Sequence, residues 1–396
     1  LDLQLSRRVA LIKPSATLAV TARAAALKAA GKDIIGLGAG EPDFDTPEPV
    51  KQAAIRAIQA GFTKYTAVDG TPGLKQAVAA KLRRENNLDY TSDQVLVSAG
   101  GKHSFYNLAQ ALLNPGDEVI IPAPYWVSYP DMVLLAEARP VIVRAGIEQQ
   151  FKITPAQLDA AITPKTRLAV LNSPSNPTGA TYTRAELAAL GEVLRRHAQV
   201  MAASDDIYEH ILLGAEPFCN ILNACPDLYE RTVIINGVSK SYSMTGWRIG
   251  YAAGPKPLIA AMKNIQSQST SNPASISQAA AQAALEGDQS FMQDWLRQFK
   301  ERHAFVVKEL NRIRGVQCLP SPGAFYSFPR VQGVIEKLKL RDDVELADYL
   351  LNEIGVALVP GSAFGAPGYV RLSFATSLEN LRTALTRMQN LLGTVD

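Results

Sequence analysis

Cysteine is scarce in this chain of 396 residues, and the three present, Cys219, Cys225 and Cys318, form no CxxC pair and leave one over in any disulfide scheme. That argues against a disulfide-stapled secreted scaffold, and a reducing, cytoplasmic setting is expected. Long apolar runs are missing as well. No stretch approaches the ~20 residues of a membrane span, and the first residues lack the uninterrupted apolar core of a signal peptide. Charge of one sign is absent too: 40 Lys and Arg stand against 37 Asp and Glu, with no long run of either. A nucleic-acid partner is therefore not expected, whereas a small anionic substrate remains compatible with locally placed cations. No metal is expected.

What the chain does have is core-forming material, with 47% hydrophobic and 19% charged residues, enough for one large domain and a smaller one. From about Pro47, apolar strand-like runs alternate with helix-like stretches. Strands are expected at Gln94 to Ser98, Glu118 to Ile121, Arg167 to Leu171, Val200 to Ser204 and Thr232 to Ile235; helices at Gly101 to Leu113 and Arg184 to His197. This is the pattern of an α/β fold, a parallel or mixed sheet covered by helices, whose ligands bind at the carboxyl ends of the strands. The last third changes character. A long charged helix from Phe291 to Arg312 leads to short strands near Ala324 to Phe328, Val356 to Val359 and Val370 to Phe374, which reads as a smaller α+β lobe. A helix from Thr17 to Ala30, capped by Ser15 and stopped by Gly31, needs a partner surface and is assigned to that lobe. The expected division is 46–290 for the large domain, with 1–45 and 291–396 forming the small one.

Two glycine-rich loops invite nucleotide readings and fail them. Gly100-Gly101-Lys102 opens a helix whose N–H groups could receive phosphate, but the upstream glycine of a Walker loop is replaced by Leu96 and its magnesium-binding hydroxyl by His103. Gly36-Leu37-Gly38-Ala39-Gly40 lacks the third small residue of a dinucleotide fingerprint, Glu41 or Asp43 standing there.

The most informative segment runs from Gly237 through Ser239, Lys240 and Ser241 to Arg248 and Gly250. A lysine just after a strand, among small and hydroxyl residues, can project into a cleft where burial frees its amine to attack a carbonyl. Each candidate also has an ordinary reading. Lys240 and Lys102 could face solvent, Arg248 could end a helix with a salt bridge, and Trp126 could fill a core. Asn176 before a proline is a common turn residue, Arg371 in a strand is usually solvated, and Asp205 could cap a helix with Asp206 standing beside it.

The Lys240 segment resembles the lysine motif of class I aminotransferases, the aspartate aminotransferase family. Further matches follow in the family's order: Asn172 to Gly179 resembles its NPTG loop, Ser204 to Tyr208 its SDEIY strand end, Gly38 to Phe44 its substrate-side loop, and Val370 to Ala375 its C-terminal arginine segment. The resemblance implies a pyridoxal-phosphate-dependent transferase of fold type I, with the cofactor carried on Lys240. It implies that Asp205 pairs with the cofactor ring nitrogen, that Tyr208 and Asn176 bond the ring oxygen, and that Trp126 stacks on the ring. Arg248, Ser239, Gly101 and Lys102 fall to the phosphate side, and Tyr65 to the phosphate of a partner subunit in a homodimer. Arg371 would grip the substrate α-carboxylate, with Gly40, Trp126 and Asn176 also against the substrate. The stretches around Lys13 and Lys102 resemble a bacterial subgroup in which the lysine at 102 meets a distal carboxylate and the lysine at 13 is linked with use of prephenate. Aspartate transamination with 2-oxoglutarate is the implied activity. An aspartate/glutamate–prephenate or broader aromatic enzyme is the alternative, and a lyase or a cofactor-sensing regulator the different class. No basic helix-turn-helix domain precedes the motifs.

Overall fold

The computed structural model describes residues 3–395. Its largest element is a seven-stranded sheet in the spatial order Val95–Ser98, Gly250–Ala253, Thr232–Gly237, Met201–Asp205, Thr166–Asn172, Glu118–Ala123 and Arg139–Arg144. The strand Gly250–Ala253 runs antiparallel to both neighbours, and the remaining pairs are parallel, so the sheet is mixed. Helices cover both faces, which is why the central strands are apolar without a polar side. Period-two alternation then sorts side chains between two cores. Val95, Val97, Ile120 and Ile234 pack on one face with Leu74, Leu190 and Tyr251, while Leu96, Val119, Ile121, Val233 and Ile235 pack on the other with Phe105 and Leu108.

The expected strands and helices of this sheet occur within a few residues of their predicted ends, and two of its strands were not foreseen. Arg139–Arg144 is a half-exposed edge strand carrying Pro140, a residue that only an edge tolerates easily. Gly250–Ala253 is short and opens with a glycine because the helix start at Gly101 presses on it: a Cβ at Gly250 would lie 2.2 Å from the Gly101 nitrogen.

The C-terminal region has its own core, built from Leu37, Phe299, Leu310, Phe325, Tyr326, Leu372 and Leu385, and Tyr208 and Ile211 reach into it from the turn after Met201–Asp205. The single strand expected at Val356 to Val359 is two. Val356–Ala357 pairs in parallel with Ile35–Gly36, and Val359–Pro360 pairs with the strand Val370–Ser373, so the chain changes sheets at Leu358. The helix Ala16–Ala29 begins at its Ser15 cap and packs Ala24 against Leu351 and Ala357, giving it the partner surface it needed. A short helix, Arg7–Leu11, precedes it and was not anticipated. Among the described residues no helix is long and apolar enough to cross a membrane.

Candidate active site

Parallel strands deliver their carboxyl ends to one edge of the sheet, and the segments leaving Ser98, Ala123, Asn172, Asp205 and Gly237 converge there. With the loop Gly38–Glu41 and the C-terminal strands they enclose a cavity of about 390 Å³. Its lining includes Gly40, Gly101, Lys102, Trp126, Asn176, Asp205, Tyr208, Ser239, Lys240, Arg248 and Arg371, all of them candidates from sequence. A larger open groove of about 620 Å³ near Asp33 and Arg387 holds none of them.

Lys240 follows the buried strand Thr232–Gly237 and points its Nζ at the carbonyl of Gly40, to which it donates a short hydrogen bond. Burial first, then the charge of Arg371, brings its amine down to about 8, with Glu41 and Asp205 pulling the other way. A substantial neutral fraction near neutral pH is what a nucleophilic or proton-abstracting amine requires.

Asp205 is the last residue of its strand and faces the cavity, whereas Asp206 turns away to accept from Ser204 at 2.7 Å and Asn220 at 2.9 Å. Of these two adjacent carboxylates, which only the motif had distinguished, Asp205 lines the cavity and Asp206 does not. Burial pushes Asp205 up to about 6, against the hydroxyl of Tyr129 and the N–H of Ile207, which both donate to it. No cation among the described residues pairs with it at ion-pair distance. Its neighbour Asn172 donates to the Asp205 carbonyl at 2.9 Å and accepts from the Asn176 N–H at 2.9 Å, so strand end and loop are held together.

Arg371 lies on the strand Val370–Ser373, 2% exposed, and has no acidic partner among the described residues. Its fork donates to Asn176 Oδ1 at 2.8 Å and to the Gly38 carbonyl at 2.6 Å, and its Nε is buried without a partner. A guanidinium packed between the rings of Tyr326 and Phe364, 4.4 and 5.0 Å from their centroids, is costly to bury without an anion. The arrangement is that of an anion receptor.

On the opposite side the helix Gly101–Leu112 aims its N-terminus at the cavity, beside Arg248. Gly100, at φ 90°, must be glycine: a Cβ there would sit 2.4 Å from Arg248 Nη2. Arg248 donates to the carbonyls of Thr245 at 2.7 Å and Ala99 at 3.2 Å, and its charge has no acidic partner among the described residues. Lys102 Nζ lies 5.3 Å over the Trp126 ring, its amine lowered by burial and then by the charge of Arg248.

Two candidates stand outside. Tyr65 is 92% exposed and does not line this cavity. Lys13 does not line it either: its backbone N–H and charge act on Asp131, whose carboxyl burial would otherwise raise further. Sequence reasoning missed Tyr326, Tyr129, Thr17 and Asn172. Thr17 Oγ1 lies buried in the lining without a partner. For Tyr129 the signal was present, a tyrosine three residues after Trp126 on a helix beginning at the cavity.

Residues 32–388 match the family described as "Aminotransferase class I and II". The chain is 60% identical to an aspartate/prephenate aminotransferase of Nitrosomonas europaea, covering 98% of this chain and all of that one. It is 51% identical to an aspartate aminotransferase of Geobacillus stearothermophilus, over 98% of this chain and 99% of the relative. Among solved structures, the aspartate aminotransferase of Rhizobium meliloti superposes with a TM-score of 0.94 at 48% identity over the full length of both chains. That of Thermus thermophilus with maleate gives 0.93 at 45%, over 98% of this chain and all of that one.

Proposed function

Since the chain belongs to the class I and II aminotransferases, we propose that it moves the amino group of L-aspartate to 2-oxoglutarate, giving oxaloacetate and L-glutamate, with pyridoxal 5′-phosphate as its cofactor. The observation that carries this reading is a single cavity holding a partly neutral amine, a buried carboxylate without a cation and a buried guanidinium without an anion. Each of these is costly alone and is relieved by one part of the loaded site.

The residues fit that cofactor. Lys240 would hold its aldehyde, Asp205 its protonated ring nitrogen, and Trp126 one face of the ring. Tyr208 and Asn176 would bond the ring oxygen. The N-terminus at Gly101, with Ser239, Arg248 and Lys102, would receive the phosphate. When bound, the cofactor supplies an electron sink for the bonds at the substrate's Cα.

The protein's own work is positioning and proton transfer. Arg371 exchanges its bonds to Asn176 and Gly38 for a two-pronged pair with the substrate α-carboxylate. Lys240, with its amine near 8, takes the proton from Cα and delivers it elsewhere on the reacting system, a role typically worth ~10²–10⁴ in rate. Departure of a keto acid and entry of a second, 2-oxoglutarate, give ping-pong kinetics. Lys102, a lining cation over the Trp126 ring, is available for a distal carboxylate, and the buried hydroxyl of Thr17 adds an unused donor. A charged hydrogen bond of this kind contributes roughly 1.5–3 kcal/mol, or about 10- to 100-fold preference for an acidic side chain. The Thermus relative was solved with maleate, also a dicarboxylate.

Use of prephenate is the second reading, favoured by the names of several relatives and by Lys13 standing against Asp131 on the helix that follows Trp126. We further read the chain as a homodimer. Tyr65 is exposed together with Ile55, Ile58 and Phe62, a surface that a second copy would cover while Tyr65 completes its site. The division into 46–290 and 1–45 with 291–396 is supported by the separate core around Phe325 and Leu372. Three buried free thiols suit a reducing cytoplasm.

A panel of amino donors with 2-oxoglutarate tests the function, with prephenate tried as acceptor. Aspartate should lead. Turnover without any keto acid would move the enzyme to the lyases.

A further inference from the structure

Tyr326 belongs to none of the patterns that mark the cavity in sequence, yet it is fully buried and touches three of the cavity's parts. Its hydroxyl lies 2.8 Å from that of Tyr208. The Arg371 guanidinium sits 4.4 Å above its ring. Its oxygen is also packed against Gly40 so closely that a Cβ there would fall 2.9 Å away.

Two phenols in contact can share only one hydrogen between their oxygens. Burial raises both above the ordinary tyrosine value, so each keeps its hydrogen. Among the described residues, neither hydroxyl has another hydrogen-bond partner. Around Tyr326 Oη the neighbours are the Gly40 backbone and the Arg371 cation, and Tyr208 Oη is the acceptor within reach. Both tyrosines border the cavity, and once its oxygen accepts from Tyr326 the Tyr208 hydroxyl can send its own hydrogen there.

We propose that Tyr326 is a positioning residue serving both ends of the cavity: its hydroxyl donates to Tyr208, fixing the Tyr208 hydrogen toward the cofactor's ring oxygen, while its ring face keeps the Arg371 fork set for a carboxylate. This rests on the reading above in which Tyr208 donates to that oxygen. A donor that is itself accepting a hydrogen bond is the stronger donor. The other charged groups facing this cluster are Asp205, Lys240, Glu41 and Arg248, and none is altered by the substitutions below.

The experiment is a pH titration of the visible absorbance of the cofactor-loaded enzyme, in wild type, Tyr326→Phe, Tyr208→Phe and the double variant, with maleate dissociation constants alongside. Losing a donor to an anionic ring oxygen favours the protonated chromophore, so Tyr208→Phe should raise the midpoint. Tyr326→Phe should raise it too, by a smaller amount of about 0.3–1 pH unit. The double variant should match Tyr208→Phe alone, because the second group acts only through the first. Maleate affinity should stay within about twofold in Tyr326→Phe, which keeps the ring, and weaken about tenfold in Tyr326→Leu, which removes the platform. A Tyr326→Phe midpoint equal to wild type, a double variant shifted beyond Tyr208→Phe, or equal maleate affinity in the Phe and Leu variants would overturn the proposal. An unshifted Tyr208→Phe, or a wild type without a visible band, would instead overturn the underlying assignment.

Discussion

Asp205, Asn176 and Lys240 reach the cavity within a few residues of the strand ends that carry them, whereas Gly40, Tyr326 and Arg371 are brought there from opposite ends of the chain. The first wall is rigid by construction, since each strand is buried and laddered to its neighbours. The second depends on a few cross-chain contacts: Arg302 to Asp43 at 2.7 Å, Ser373 N–H to the Leu37 carbonyl at 2.8 Å, and Phe44 stacked on Trp295. In the function proposed above, the strand-end wall would hold the groups for bond making, and the assembled wall those that meet the substrate's carboxylate. Substitutions at Lys240 on the first wall should cost rate, and those at Arg371 on the second should cost substrate affinity.

The largest effect should come from Lys240→Ala, with transamination down by at least about 10⁴-fold once both binding and proton transfer are lost. Thermal melting of the cofactor-free chain should hold or rise, because an amine that burial disfavours has been removed. Appreciable residual turnover would break the comparison at once. Arg371→Ala should raise KM for aspartate and 2-oxoglutarate together by about 100-fold, the worth of a two-pronged charged pair, with a smaller loss in kcat. A loss confined to kcat would put Arg371 on the wrong wall. Asp205 sharpens the contrast through pH. Its buried carboxyl titrates near 6 against the usual 3.8, so between those values the unfolded chain has given up a proton that the fold retains. Stability of the cofactor-free chain should therefore fall as pH rises from about 4 to 6, and Asp205→Asn should remove on the order of 3 kcal/mol of that fall in denaturant titrations. The smallest effect is expected from Lys102→Ala, with KM for aspartate rising about tenfold more than KM for alanine. Equal rises would mean that Lys102 serves only the phosphate side.

The same two walls explain what could be read in the sequence. Lys240, Asn176 and Asp205 sit in contiguous motifs because a strand end and the loop leaving it are consecutive residues, and the alternating sheet pattern was legible for the same reason. Tyr326 lay inside an expected strand, but nothing local says that its hydroxyl meets Tyr208 from 118 residues away. Val356 to Val359 looked like one strand because apolar continuity cannot show a change of sheet at Leu358. Gly250–Ala253 escaped notice since it is four residues long and its leading glycine answers to the backbone of Gly101, a contact made only on folding. Asp205 and Asp206 are the same residue type side by side, and the direction in which each leaves the strand separates them.

The most direct test of the account is to load the chain with pyridoxal 5′-phosphate, reduce it with borohydride and map the modified peptide by mass spectrometry. One cofactor per chain, fixed on Lys240 and absent from Lys240→Ala, is the predicted result. A chain that takes up no cofactor, or carries it on Lys102 or another lysine, would contradict it.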